Sequence, residues 1–184
     1  MSNADPSHTV GLARGVLGTL DRPAYGPPEP SDGAELWRMA RDSQTLDLNS
    51  PYTYLLGASH FADTSVLARV NDHPAGFVWG YLRPDAPDTV FVWQVAVDPA
   101  YRGRGLAHGM LTALTDRLQP KGCRYLEASV TPDNLASAAL FAGFARARGV
   151  PLEDSEVLFD ASDFPPGPGH EPEVLFRIGP LHKT

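Results

Sequence analysis

The chain has a single cysteine, Cys123, among its 184 residues. An internal disulfide needs two, so the fold is expected to stand on its core and not on oxidation. Long apolar runs are missing too: nothing approaches the roughly 18 consecutive apolar residues of a membrane helix. The first residues, Met1 to Gly15, hold no apolar segment of the kind a secretory signal needs, which points to the cytoplasm. The six histidines are scattered without metal-ligand spacing, so no metal site is expected. Basic residues are outnumbered, 15 Lys and Arg against 22 Asp and Glu, for a formal charge of −7. That balance argues against a nucleic-acid partner, which requires a basic face. The 42% of hydrophobic residues that remain are enough for the core of one domain.

Residues 1–16 read as a mobile polar tail, and 17–184 as a single domain. A first strand is expected within Gly15 to Arg22, before the prolines at 23, 27, 28 and 30. Asp32 and Glu35 have capping-box spacing, with Leu36, Met39 and Ala40 forming the apolar stripe of a helix that ends near Ser43. Ser50-Pro51 starts a second helix, with Tyr52, Leu55 and Leu56 on one side and Gly57 near its end. Asp47 and Asn49 lie in the loop ahead of it, either as plain turn-formers or with side chains aimed into a cleft. Thr64 to Val70 and Ala75 to Leu82 form a hairpin, and Arg124 to Val130 is a later strand. A helix after Asn134 carries Leu135, Leu140, Phe141 and Phe144, and two short strands fall between Glu156 and Ile178. The order β-α-α-β-β-β-α-β-α-β-β specifies an α/β domain with a mixed, mostly antiparallel sheet.

The chain is organised around Thr89 to Leu111. Thr89 to Val97 is β-branched, aromatic and aliphatic, interrupted only by Gln94. Strict alternation would put Phe91, Trp93, Val95 and Val97 on one face and Val90, Val92 and Ala96 on the other, so burial on both sides is expected. Asp98-Pro99 ends the strand, and Arg102-Gly103-Arg104-Gly105-Leu106-Ala107 opens a helix. A glycine turn at a helix N-terminus presents unpaired N–H groups and partial positive charge, which suits a phosphate. Arg102 and Arg104 add formal charge. A short glycine pattern also fits an ordinary solvated turn. The spacing is neither that of a P-loop nor that of a dinucleotide fingerprint.

Arg102-x-x-Gly105-x-Ala107, after a V-A-V-x-P strand end, resembles the cofactor turn of the GCN5-related N-acetyltransferases. The resemblance implies that fold, acetyl-CoA as co-substrate, its pyrophosphate on Arg102 to Ala107, and its pantetheine arm along Val95, Ala96 and Val97. Asn134, Ser137, Leu140, Phe141 and Phe144 are similar to the family's second cofactor segment, which adds Asn134. Many members have a tyrosine at the position of Phe141 that protonates the departing thiolate. Phenylalanine has no proton to give, so that role is vacant here.

The LDLNSPY block from Leu46, the RYLEASV block from Arg124 and the GHEPEVLFRIGPL block from Gly169 resemble the diaminobutyrate acetyltransferases within that superfamily. This implies acetylation of the γ-amine of a small diamino acid, in a homodimer, as a step in ectoine biosynthesis. It also implies a substrate site of Asp47, Asn49, Tyr52, Trp93 and His170, with Glu127 as base. Chemically, Asp47 can bind an ammonium, Tyr52 and His170 can donate to a carboxylate, and Trp93 can stack on a cation. A carboxylate at 127, between Leu126 and Ala128, is expected to be desolvated and therefore basic. The alternatives are an enzyme for another small amine or a peptide N-terminus, or an acyl-CoA-binding module without catalysis.

Overall fold

The computed structural model describes residues 22–166 and 169–181. Seven strands form one sheet: β1 (Ala24–Gly26), β2 (Val66–Val70), β3 (His73–Arg83), β4 (Ala86–Val97), β5 (Tyr125–Val130), β6 (Leu152–Phe159) and β7 (Glu173–Ile178). Four helices accompany them: α1 (Gly33–Ser43), α2 (Pro51–His60), α3 (Leu106–Leu118) and α4 (Leu135–Arg148). Their succession is the one expected. The strand expected at Gly15 to Arg22 lies, apart from Arg22, outside the described residues, as does the tail of residues 1–16; β1 begins two residues later, among the prolines.

The sheet runs β1-β2-β3-β4-β5-β7-β6, with every pair antiparallel except β4 and β5. A two-residue turn closes the first hairpin, with Asn71 and Asp72 both at positive φ (51° and 63°). Positive φ at both central positions is the conformation whose twist matches the flanking strands. The capping box sits one turn earlier than expected: Glu29 and Asp32 form it on a short 3₁₀ turn ahead of α1. Asp32 also accepts from Arg69 at 2.7 Å, so its carboxylate serves the sheet and not the α1 N-terminus.

Two cores lie on opposite faces. One packs α3 and α4, through Met110, Leu111, Leu114 and Phe144, on Val90, Val92, Leu126 and Ala128. The other packs α1 and α2, through Leu36, Met39 and Tyr54, on Phe77, Trp79 and Ala96. In α2 the buried tyrosine is Tyr54 and not Tyr52, which is 66% exposed, and Gly57 lies in mid-helix facing Trp79.

A bulge divides β4 between these cores. Trp79 pairs with Gln94 but the next residue, Gly80, pairs with Val92, so Trp93 is an extra residue. One extra residue reverses the alternation of side chains beyond it. Val95 and Val97 therefore join Val90 and Val92 on the α3/α4 face, while Ala96 joins the α1/α2 core. Trp93 and Gln94 both project on the α1/α2 side, where the Trp93 ring packs against Trp79 at 4.8 Å between centroids, tilted by 38°, and stays 50% exposed. The expected double burial of β4 is thus corrected: one face opens at Trp93 onto a cleft.

At the bulge the strands are close. A Cβ on Gly80 would stand 2.7 Å from the carbonyl oxygen of Phe91, a backbone atom that cannot rotate away. Gly80→Ala is expected to destabilise the protein by about 1–3 kcal/mol. Urea denaturation measures this; an unchanged midpoint would show that the approach is looser than described.

Candidate active site

β4 and β5 pair only over Thr89–Val92 against Tyr125–Ala128, and then they part. β4 continues to Val97, still paired with β3 on its other side as far as Gly76. The β4 edge from Trp93 to Val97 that faces β5 therefore carries backbone groups with no ladder partner there. A strand left open on one side is a template for an extended ligand.

The open strand leads to the glycine turn. Gly103 and Gly105 both hold φ +75°, and a Cβ at either would meet nothing within 4 Å. The space before the turn is therefore free for a group that approaches the backbone closely. The first α3 hydrogen bond runs from Gly109 N to Gly105 O, which leaves the N–H groups of Leu106, Ala107 and His108 ahead of the helical ladder. Val97, Arg102, Gly103, Gly105 and Ala107 line a concavity of about 210 Å³ there, together with Leu140 of the second cofactor segment and with Tyr101 and His108, which the sequence did not signal. Arg102 donates to Val97 O at 3.3 Å, while Arg104 turns over the Tyr101 ring, 5.3 Å from its centroid. The Leu106 side chain is buried, so its part in the turn is its backbone.

Two further cavities lie on the α1/α2 side and share Trp93 and Ser129. The smaller, about 230 Å³, brings together Asp47, Trp93, Asn134 and His170 of the expected site. Asn134 caps α4, accepting from Ser137 N at 3.1 Å, which leaves its Nδ2 hydrogens for a ligand. The His170 ring stacks on Phe164 at 3.7 Å, and its Nδ1 lies 2.7 Å from Glu171 O. A carbonyl can only accept, so Nδ1 carries the proton in this contact, and the tautomer that makes it has its lone pair on Nε2. Gln94 and Glu173 also line this cavity and were not foreseen as site residues. Gln94 did carry a signal, as the one polar residue in an apolar strand; Glu173, in an acidic stretch, carried none. The larger cavity, about 410 Å³, is lined by Tyr81, Arg83, Phe91, Trp93 and Phe159.

Three expected residues are not brought in. Tyr52 faces solvent on α2, and neither it nor Asn49 lines either of these two cavities. Glu127 is fully buried and lines neither cavity. One carboxylate oxygen accepts from Arg83 Nη1 at 2.6 Å and the other from Arg177 Nη1. The expected burial of Glu127 is observed, but β3 and β7 bring two guanidinium groups to the carboxylate that β5 buries, a pairing the sequence reading did not include. Arg83 is in turn gripped by Asp85, which with Glu127 holds its guanidinium firmly in the charged form.

These features, a parallel pair that parts beside a glycine turn at a helix N-terminus, define an acyl-CoA-dependent acyltransferase fold. The model of the Acetyltransferase (GNAT) family matches residues 28–144. The chain is 57% identical over 157 residues to an L-2,4-diaminobutyric acid acetyltransferase of Streptomyces coelicolor, covering 84% of this chain and 91% of that one. It is 44% identical over 169 residues to the enzyme of that name from Marinococcus halophilus, covering 92% and 96%. Among solved structures, the diaminobutyrate acetyltransferase from Paenibacillus lautus, in complex with its substrate L-2,4-diaminobutyric acid and coenzyme A, superposes with a TM-score of 0.82 at 40% identity, covering 89% of this chain and 98% of that one. The chain belongs to the GNAT family and, within it, to the L-2,4-diaminobutyric acid acetyltransferases.

Removing one member of a buried ion pair costs about 3–5 kcal/mol. Arg83 and Arg177 keep side-chain exposures of 28% and 32%, which favours the low end. Glu127→Gln is expected to lose about 3 kcal/mol, or roughly 6–12 °C in Tm. A scanning calorimetry trace matching the wild type would show that the clamp does not hold the fold.

Proposed function

We propose that the protein acetylates the γ-amine of L-2,4-diaminobutyrate with acetyl-CoA, giving N4-acetyl-L-2,4-diaminobutyrate for ectoine biosynthesis. The observation that carries this reading is the meeting of Asp47, Trp93 and His170 around one cavity, beside the point where β4 and β5 part. Acetyl-CoA supplies an activated acetyl group: a bond forms from the γ-nitrogen to the thioester carbon, the carbon–sulfur bond breaks, and the thiolate leaves. The turn from Arg102 to Ala107 suits its pyrophosphate, and the open edge of β4 over Val95 to Val97 suits its pantetheine arm.

The substrate has two amines, and recognition of its amino-acid end decides which one reacts. Asp47 supports an anchor for the α-ammonium, Trp93 a wall that can stack on a cation, and Asn134 a donor for the carboxylate. The reacting amine must lose a proton. With both Glu127 oxygens occupied, we assign that step to Nε2 of His170, whose lone pair is fixed by the Nδ1 bond to Glu171. Phe141 is 3% exposed and packs against Phe176, in keeping with a structural part and no acid at that position.

No helix among the described residues is long and apolar enough to cross a membrane. We place the reaction in the cytoplasm, with its co-substrate, which cell fractionation checks. We also take the working form to be a homodimer. Val157 and Phe159, 52% and 49% exposed on the edge strand β6, are surface that a second copy can cover. A monomer mass by light scattering would overturn this.

Gly105→Val would place a branched side chain in the space before the turn, at a positive φ that it resists. Affinity for CoA is expected to fall at least tenfold, about 1.4 kcal/mol, by calorimetry. Unchanged affinity would remove the pyrophosphate from this turn.

Steady-state kinetics separate anchor from base. Asp47→Ala should raise KM for diaminobutyrate and release some α-acetylated product, seen by NMR. His170→Gln should lower kcat by about 10²-fold or more at neutral pH, with partial recovery as rising pH deprotonates the amine in solution. An unchanged KM in the first variant would remove the anchor. Should Glu127→Gln show the kcat loss and the recovery while His170→Gln shows neither, the base is Glu127.

A further inference from the structure

Gln94 stands out because it is polar, 4% exposed, and placed by a bulge on the inner side of a strand that is otherwise apolar. Its Nε2 donates to the backbone carbonyl of Asp47 at 3.0 Å, across 47 residues of sequence. Its Oε1 is buried without a hydrogen-bond partner, although the residue lines the same cavity as Asp47 and His170. A leucine or methionine would suit the apolar packing and leave no orphaned acceptor, so packing does not explain an amide here.

We infer that Gln94 is a positioning residue for the diamino acid, setting the Asp47 carboxylate by holding the backbone that carries it. This rests on the reading of Asp47 as the anchor. Asp47 itself is exposed, in the loop between α1 and α2, and a carboxylate on such a loop discriminates between two amines only if its backbone is fixed. The amide supplies that fixation from β4, the strand along which the thioester is aligned. Anchor and reacting carbon are thereby referred to one element.

The test uses the full chain with Gln94→Met, Asp47→Ala and the double variant, reading KM for both substrates, kcat, and the acetylated nitrogen by NMR. Methionine keeps the volume and removes the orphaned acceptor, so Tm is expected to stay level or rise. Gln94→Met should raise KM for diaminobutyrate about tenfold, leave kcat and KM for acetyl-CoA within about twofold, and release some α-acetylated product. It should add little to Asp47→Ala, because both act through one carboxylate. A wild-type KM in Gln94→Met beside a raised KM in Asp47→Ala overturns this inference and leaves the anchor standing. A wild-type KM in both variants overturns the anchor as well. An equal rise in both KM values, or fully additive effects in the double variant, would show a packing role and overturn the inference.

Discussion

The rest of the site depends on the extra residue at Trp93. Without it, β4 would present alternate residues to each face along its whole length, and Val95 and Val97 would fall on the α1/α2 side. With it, the valines beyond the bulge stay with the α3/α4 core, while Trp93 and Gln94 turn together toward the cleft. In the proposed arrangement one strand then has a cofactor side and a substrate side. It parts from β5 at the same level, since pairing ends at Val92 and Ala128. The loss of ladder bonds there is what an incoming extended ligand can make good.

Charge is handled in the same region by pairing. The chain is acidic overall, yet under the cleft two arginines converge on Glu127, and Asp85 grips one of them again. A second set ties α1 to the cofactor turn: Arg38 donates to Glu35 and Asp42 on its own helix and to Asp98 at 2.8 Å, while Asp98 accepts from Ala100 N. Glu35 first, then Asp98, hold Arg38 in its charged form. The loop carrying Asp47 follows α1 directly, so the helix is tied at its middle to the residue ahead of the glycine turn and continues at its C-terminus into that loop. Exposed pairs of this kind add little stability one by one, and their value here lies in geometry.

Much of this was legible from the sequence because it is local. Ser50-Pro51 marks the start of α2, and the glycines at 103 and 105 mark the turn they form. What failed was phase. Tyr52 and Tyr54 lie about 200° apart around a helix, so one can be buried and the other cannot, and the apolar pattern chose the wrong one. The bulge was equally hidden, because an apolar strand reads the same in either alternation. The partners of Glu127 come from Arg83 and Arg177, 44 and 50 residues away, on strands whose pairing no local pattern specifies. Gln94 is the instructive case. A single amide within a nine-residue stretch that is otherwise β-branched, aromatic or aliphatic broke the local rule, and such breaks gather where structure serves function.

Regiochemistry is where these pieces meet. Both amines are primary, and the α-amine, less basic beside the carboxyl, is the more easily deprotonated, so intrinsic reactivity does not select the γ-amine. Discrimination must come from distance, and distance is only as reliable as the element that sets it. A loop carboxylate alone would let the molecule shift by the two carbons that separate its amines. In the proposed arrangement, the loop is bound through the Asp47 backbone to β4, and the same carboxylate is held against the strand assigned to the acyl group. In that arrangement the strand sets both ends of the interval to be measured, and selectivity needs no group that recognises the γ-amine itself.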